Sequence, residues 1–135
     1  MNATLAKLRD IMNTHDADAM ASLYSPDYRS EQPAHPNRGF SGHAQVATNW
    51  GNMFRGVPDM TVELLAEATN GATVWSEWAL TGHHLDGSPF EMRGVIIMRL
   101  ADDGLIAEQR LYLEPVERDG AAIEETVQQL AKPAR

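Results

Sequence analysis

The chain has 135 residues, of which 43% are hydrophobic and 22% are charged, close to the averages of soluble globular domains. Eleven lysines and arginines against 19 aspartates and glutamates give a formal charge of −8, which argues against a nucleic-acid or anionic-membrane surface. There is no cysteine, which excludes disulfides, thiolate metal ligands and a cysteine nucleophile. The N-terminus lacks an apolar signal-peptide core and the longest aliphatic run, Val95–Met98, is too short to span a bilayer. We therefore expect a soluble, cytoplasmic protein.

The first quarter of the chain is predicted to be helical. Leu5, Leu8 and Met12 have the spacing of one helix face. Asp16 can cap a second, short helix, and Pro26 is expected to stop it.

A third and clearer helix follows an extended stretch, Tyr28–Pro33, and a loop from Pro33 to Gly39. Ser41 is the predicted N-cap of this helix, and Pro58 ends it. Its apolar stripe consists of Val46, Trp50, Met53, Phe54 and Val57.

Four β-rich runs come next, separated by Asn-Gly and Asp-Gly turn signals. They are Met60–Ala68, Thr73–Gly82, Glu91–Leu100 and Leu105–Glu114. A final helix is predicted over Asp119–Lys132, capped by Asp119.

Helices followed by a strand meander indicate an α+β fold, in which Gly82 and Gly94 allow a strongly curved antiparallel sheet. The curved sheet would form a cone, and three helices would close its concave side and leave a pocket. No linker divides the chain, so we expect a single domain over residues 1–135, with a C-terminal helical extension from residue 118.

Four short motifs resemble the SnoaL-like branch of the nuclear-transport-factor-2-like superfamily. They are Phe40-x-Gly42, Pro58-Asp59, Trp75-x-Glu77-Trp78 and Asp103-Gly104-x-Ile106. The superfamily includes polyketide cyclases, ketosteroid isomerase, limonene-epoxide hydrolase and proteins that only bind ligands or dimerise. The resemblance therefore implies the fold and a homodimer through the convex sheet face, whereas the activity has to be argued from the site.

The acid/base positions of these relatives carry different residue types here. Matched motif by motif, they fall on Leu8, Gln32, Trp78, Leu80, Ile96 and Leu111. An amide cannot abstract a proton, and aliphatic side chains cannot donate to a developing enolate. The resemblance thus implies a pocket without the usual catalytic carboxylates.

The same register divides the strands into two faces. The concave face would carry Val74, Ser76, Trp78, Leu80, Met92, Gly94, Ile96, Met98, Leu111 and Leu113. The convex face would carry Glu77, Arg93, Arg99, Glu108, Arg110, Tyr112 and Glu114. We expect Glu114 to be an ion-pair partner of Arg93 or Arg110.

Three residues near the expected pocket mouth could still carry acid/base chemistry: His35, Tyr28 and Glu31. An exposed loop histidine and a partly buried strand aromatic are the more ordinary interpretations of the first two. The predicted ligand-binding residues are Gln32, Trp50, Phe54, Trp78, Leu80, Met92, Ile96 and Leu111, although large apolar side chains usually serve as core. Adjacent His83 and His84 would point to opposite faces of a strand, so neither a metal site nor a cofactor is predicted.

Three functions follow as hypotheses. The first is a binder of a small hydrophobic ligand in a mostly apolar pocket. The second is an isomerase, cyclase or hydrolase that acts on a polyketide- or terpenoid-like substrate with a non-standard acid/base set. The third is a dimeric interaction module.

Overall fold

A computed structural model describes residues 2–134. The helices are α1 (Ala3–Thr14), α2 (Ala17–Ala21), α3 (His43–Gly56) and α4 (Ile123–Ala131), and a 3₁₀ turn spans Pro36–Arg38. The strands are β1 (Tyr24–Glu31), β2 (Phe40–Ser41), β3 (Thr61–Asn70), β4 (Thr73–His83), β5 (Pro89–Leu100) and β6 (Ile106–Pro115). The predicted α+β class and the four-strand meander are confirmed, with strand ends that differ by one or two residues.

The six strands form one sheet in the order β2-β1-β6-β5-β4-β3. All neighbours are antiparallel except β1 and β6, which run parallel, so the sheet is mixed rather than wholly antiparallel as predicted. The parallel pair exists because β1 does not join the meander at its near end. Instead, the chain crosses over through α3 to β3 at the opposite edge, and β1 lies beside β6 with the short strand β2 outside it.

The strand β1 begins at Tyr24, four residues earlier than predicted, and it includes Pro26. Pro26 was expected to stop the preceding helix, but α2 has already ended at Ala21. A proline has no N–H to give to a ladder, and the β1–β6 register shifts between Tyr24 and Arg29. The proline therefore lies at an irregular and exposed part of the strand.

Two of the three predicted helix caps differ from the structure. The Asp16 cap is confirmed, since its carboxylate accepts from the Ala19 N–H at 3.0 Å. Ser41, however, pairs with Arg29 in the sheet, and Gly42 is the N-cap that precedes α3, at a φ of 92° that favours glycine. The last helix begins at Ile123 after Ala122 rather than at the predicted Asp119 cap.

The predicted inward face of the sheet is confirmed, whereas Glu114, predicted on the convex face, lines the cavity on the inward side. Val74, Trp78, Leu80 and Met98 are at most 1% exposed and pack with the inner sides of α1 and α3 in one core. Every residue of α4 outside Thr126 is exposed, so the core is built without this helix.

Helix α1 is fixed to the edge strand β3 by a side-chain amide. The Asn13 Oδ1 accepts from the Val62 N–H at 2.8 Å, and its Nδ2 donates to the Val62 carbonyl at 2.9 Å. Next to it, His15 Nε2 donates to the Met60 carbonyl at 2.7 Å, and the ring stacks on Phe54 with centroids 4.7 Å apart. These contacts set the distance between the helical layer and the sheet.

No helix among residues 2–134 has the length and apolarity needed to cross a membrane.

The predicted role of Gly94 in shaping the sheet is supported by its surroundings. It pairs with Trp78 on β4 and Leu113 on β6, at the centre of the inward face. A Cβ at this position would overlap the Tyr112 carbonyl oxygen and would lie 2.7 Å from the Leu113 Cα. Because backbone atoms cannot rotate away, β5 and β6 can approach this closely only at a glycine.

We predict that Gly94→Ala lowers the free energy of unfolding by about 3 kcal/mol or more, since it overpacks backbone against backbone. Gly56→Ala is the control, because a Cβ at the last residue of α3 meets no atom within 4 Å. Urea unfolding of both variants gives the comparison. Equal stability of Gly94→Ala and the parent protein would contradict the close approach.

Candidate functional site

A cavity of about 390 Å³ lies between α3 and the inward face of β1 and β6. This volume falls in the range of small-molecule sites, roughly 300–1,000 Å³. The lining residues are Tyr24, Tyr28, Ser30, Gln32, Arg38, Phe40, Val46, Asn49, Trp50, Met53, Met92, Gln109, Leu111, Leu113, Glu114 and Pro115. Apolar side chains therefore form the wall, and polar groups concentrate at the inner end and at the mouth.

A narrower space of about 20 Å³ continues the cavity toward the core. It shares Tyr24, Trp50, Gln109, Leu111 and Leu113 with the main cavity. Leu8, Met12, Met20, Trp78, Leu80 and Ile96 complete its wall. This narrow space has room for roughly one water molecule. A larger ligand would therefore occupy the main cavity.

A buried hydrogen-bond chain lies where the two spaces meet. The Tyr28 hydroxyl donates to Gln109 Oε1 at 2.8 Å, and Gln109 Nε2 donates to the Tyr24 hydroxyl at 3.3 Å. All three residues are less than 5% exposed. Burial raises the pKa of both tyrosine hydroxyls far above the ordinary value, so they remain neutral donors at physiological pH.

Sequence reasoning missed Gln109, although a signal was present. The two-residue alternation that places Leu111 and Leu113 on the inward face also places Gln109 there. A polar residue at an inward position of a central strand requires hydrogen-bond partners. The two tyrosines of β1 supply them.

The mouth of the cavity carries two charged side chains. Glu114 Oε1 accepts from His35 Nε2 at 2.7 Å, and Arg38 Nη1 donates to Gln32 Oε1 at 3.1 Å. The prediction that Glu114 lies on the convex face and pairs with Arg93 or Arg110 is wrong. The backbone of Glu114 is still paired with Arg93 of β5, but the pairing of β6 with β1 ends at Arg110, so the Glu114 carboxylate reaches the loop that precedes β2.

The structure distributes the predicted ligand-binding residues over both spaces. Gln32, Trp50, Met92 and Leu111 line the main cavity, whereas Trp78, Leu80 and Ile96 line the narrow extension. Phe54 is not among the lining residues in the described part of the chain. It is 6% exposed and packs between His15 and Trp50 as core.

The three predicted acid/base candidates do not come together. Tyr28 lines the cavity but is bonded to Gln109. Glu31 points away from the cavity and accepts from Arg29 at 2.9 Å on the opposite side of the sheet, because neighbouring strand residues face opposite sides. The His35 side chain bonds Glu114 at the mouth but is not itself among the lining residues of the cavity.

No group of three or more histidine, aspartate or glutamate residues within 2–134 could hold a metal ion. His83, at the end of β4, instead bonds Asp59 through Nδ1 at 2.7 Å. This contact lowers the pKa of the exposed Asp59 carboxyl.

A family model described as SnoaL-like domain matches residues 5–109, most of the chain. The protein belongs to the SnoaL-like family. A search of curated proteins gives no match.

Several solved structures share the fold of this SnoaL-like domain. An NTF2-like protein of unknown function from Exiguobacterium sp. 255-15 is 22% identical with a TM-score of 0.69, over 85% of this chain and 99% of that one. RV0760c from Mycobacterium tuberculosis, in complex with estradiol-17beta-hemisuccinate, is 19% identical with a TM-score of 0.68, over 81% and 89%. SalBIII, an epoxide hydrolase/cyclase-like enzyme with a role in pyran ring formation in the polyether salinomycin, is 16% identical with a TM-score of 0.72, over 82% and 88%. At these identities the likeness shows the fold alone.

We predict that Gln109→Leu lowers the free energy of unfolding by about 1–3 kcal/mol, because both tyrosine hydroxyls lose their buried partner. A triple variant, Tyr24→Phe/Tyr28→Phe/Gln109→Leu, should regain much of this loss, since the three polar groups that bond one another are removed together. Urea unfolding of the two variants measures both effects. A Gln109→Leu variant as stable as the parent would show that the hydrogen-bond chain does not stabilise the fold.

Proposed function

We propose that this SnoaL-like protein binds a small hydrophobic molecule in the cavity of about 390 Å³. The observation that carries the proposal is the wall of Trp50, Met53, Met92 and Leu111, which is apolar and adaptable around a space of ligand size. The estradiol derivative in the mycobacterial relative supports a ligand of this class in the same fold.

The buried hydrogen-bond chain supplies the polar contact for such a ligand. The Tyr28 hydroxyl donates its hydrogen bond to Gln109, and the Gln109 amide donates to the Tyr24 hydroxyl. The Tyr24 hydroxyl accepts from Gln109 but donates to no acceptor within residues 2–134. It is therefore available to donate to an uncharged acceptor on the bound molecule.

Binding is a better account of the site than catalysis. A general base needs an ionisable group within reach of the substrate. Tyr28 and Tyr24 are held neutral by burial, Glu31 lies on the other side of the sheet, and Glu114 is bonded to His35. The enzyme alternative, to which the likeness to SalBIII lends only its fold, would have to rely on the half-exposed His35–Glu114 pair at the mouth, since Glu114 is the one carboxylate among the described lining residues.

A neutral fluorescent probe tests the binding function. N-phenyl-1-naphthylamine should bind saturably with increased fluorescence, and Leu111→Trp should weaken its affinity at least tenfold because the larger side chain fills the cavity. Leu85→Trp is the control, since Leu85 is 80% exposed in the β4–β5 loop. The proposal fails if binding is not saturable, or if Leu111→Trp binds the probe as the parent does.

We further propose that the protein forms a homodimer through the convex face of the sheet. Trp75 and Tyr112 are 46% and 42% exposed there, and the strand between them carries Val95 and Ile97, of which Ile97 is only 7% exposed. The ion pairs Arg99–Glu108 and Arg93–Glu77 flank this outer patch, defined by Trp75, Val95, Ile97 and Tyr112. An apolar centre with a charged rim is typical of protein–protein interfaces.

Light scattering after size-exclusion chromatography tests the dimer. Trp75→Glu should raise the dimer dissociation constant about 30-fold or more, since a tryptophan at the centre of an interface contributes about 2 kcal/mol or more. Leu85→Glu, an equally drastic change at an exposed site outside the patch, should leave the dimer intact. A parent protein that is monomeric at 100 µM, or a Trp75→Glu variant that still dimerises, would refute the proposed interface.

A further inference from the structure

The mouth of the cavity carries one positive charge without a carboxylate partner. The Arg38 guanidinium lines the cavity and donates to the neutral amide of Gln32. Among residues 2–134, no carboxylate lies in ion-pair contact with Arg38. An arginine beside an apolar cavity is suited to a planar anion, because its N–H groups match the two oxygens of a carboxylate.

The backbone holds Arg38 in place before any ligand arrives. Arg38 ends the 3₁₀ turn, and its N–H donates to the His35 carbonyl at 2.9 Å. The His35 N–H in turn donates to the Gln32 carbonyl at 2.7 Å, and the His35 ring is tied to Glu114. The arginine therefore sits on a braced loop, which reduces the cost of ordering it around a ligand.

The other charge at the mouth, Glu114, is already engaged. Its Oε1 accepts from His35, and its side chain is 45% exposed to solvent. The carboxylate of Glu114 is bonded to His35 and makes no ion pair with Arg38. The arginine is thus the charge left to meet a ligand.

We propose that the molecule bound in this cavity has an apolar body and a carboxylate end. The body lies against Trp50, Met53 and Leu111, and the carboxylate accepts from Arg38 at the mouth beside Gln32. This inference rests on the proposed binding function and adds the charge of the ligand to it. In a protein of charge −8, a preference for an anion has to come from such a local contact.

Three probes with one apolar body separate the charge from the cavity: 4-phenylbutyrate, its methyl ester and 4-phenylbutylamine. Each is used to displace N-phenyl-1-naphthylamine at pH 7. The acid should bind about tenfold more tightly than the ester, a difference of about 1.4 kcal/mol. The amine should bind most weakly.

Arg38→Gln should remove the difference between the acid and the ester, because the acid loses its charged partner. Arg55→Gln is the matched control, because Arg55 is an exposed arginine of α3 that bonds Asn52. It should keep the tenfold preference. The thermal midpoint of each variant shows that the fold is retained.

The outcomes distinguish the two proposals. Binding of the neutral probe and the ester without a preference for the acid, or a preference that survives in Arg38→Gln, overturns the carboxylate and leaves the binding function standing. Tightest binding by the amine overturns it as well and assigns the charge contact to Glu114. No displacement by any of the three probes, while the neutral probe binds, also overturns it, whereas failure of the neutral probe removes both proposals.

Discussion

The hydrogen bonds of Gln109 with two tyrosines are the interaction on which the rest of the site depends. They join the inner sides of β1 and β6, the one parallel pair of the sheet, and all three side chains are buried there. A buried amide is costly without partners and strongly oriented with them. This hydrogen-bond chain therefore fixes the register of the two strands that form the floor of the cavity.

The charge of the protein and the charge of its cavity are separate properties. The acidic residues lie mainly on helix exteriors, in turns and on the outer face, where they pair with arginines or meet solvent. Glu114 is the sole carboxylate among the described lining residues, and it accepts a hydrogen bond from His35. The cavity is therefore close to neutral within an acidic protein, and a single arginine at its mouth has a large relative effect on what it prefers.

Much of the fold could be predicted because periodicity reports burial. The alternation of Trp78, Leu80, Leu111 and Leu113 identified the inward face, and Asn-Gly and Asp-Gly pairs located the turns. Other features depend on contacts that are distant in sequence. Ser41 looks like a helix cap until Arg29 pairs with it, and the parallel approach of β1 to β6 brings together residues that are 81 positions apart.

The site was harder to predict than the fold for a similar reason. Glu114 is still paired with β5, but β1 no longer flanks β6 beyond Arg110, and there the Glu114 carboxylate turns to His35 in the neighbouring loop. Arg38 stands out because it bonds a neutral amide and makes no ion pair with a carboxylate among the described residues. A sequence pattern cannot show that a charged side chain has no partner of opposite charge.

The pairing of Asn13 with Val62 has a consequence for how molecules of this protein meet each other in solution. Strand β3 is the outermost strand of the meander, and such a strand normally offers a row of unpaired backbone groups to any other extended chain. Asn13 occupies both backbone groups of one residue in that row, and the register irregularity between Leu64 and Ala66 interrupts the row further along. A side chain on a helix thus protects this edge against edge-to-edge aggregation, which leaves the convex face of the sheet as the surface for association.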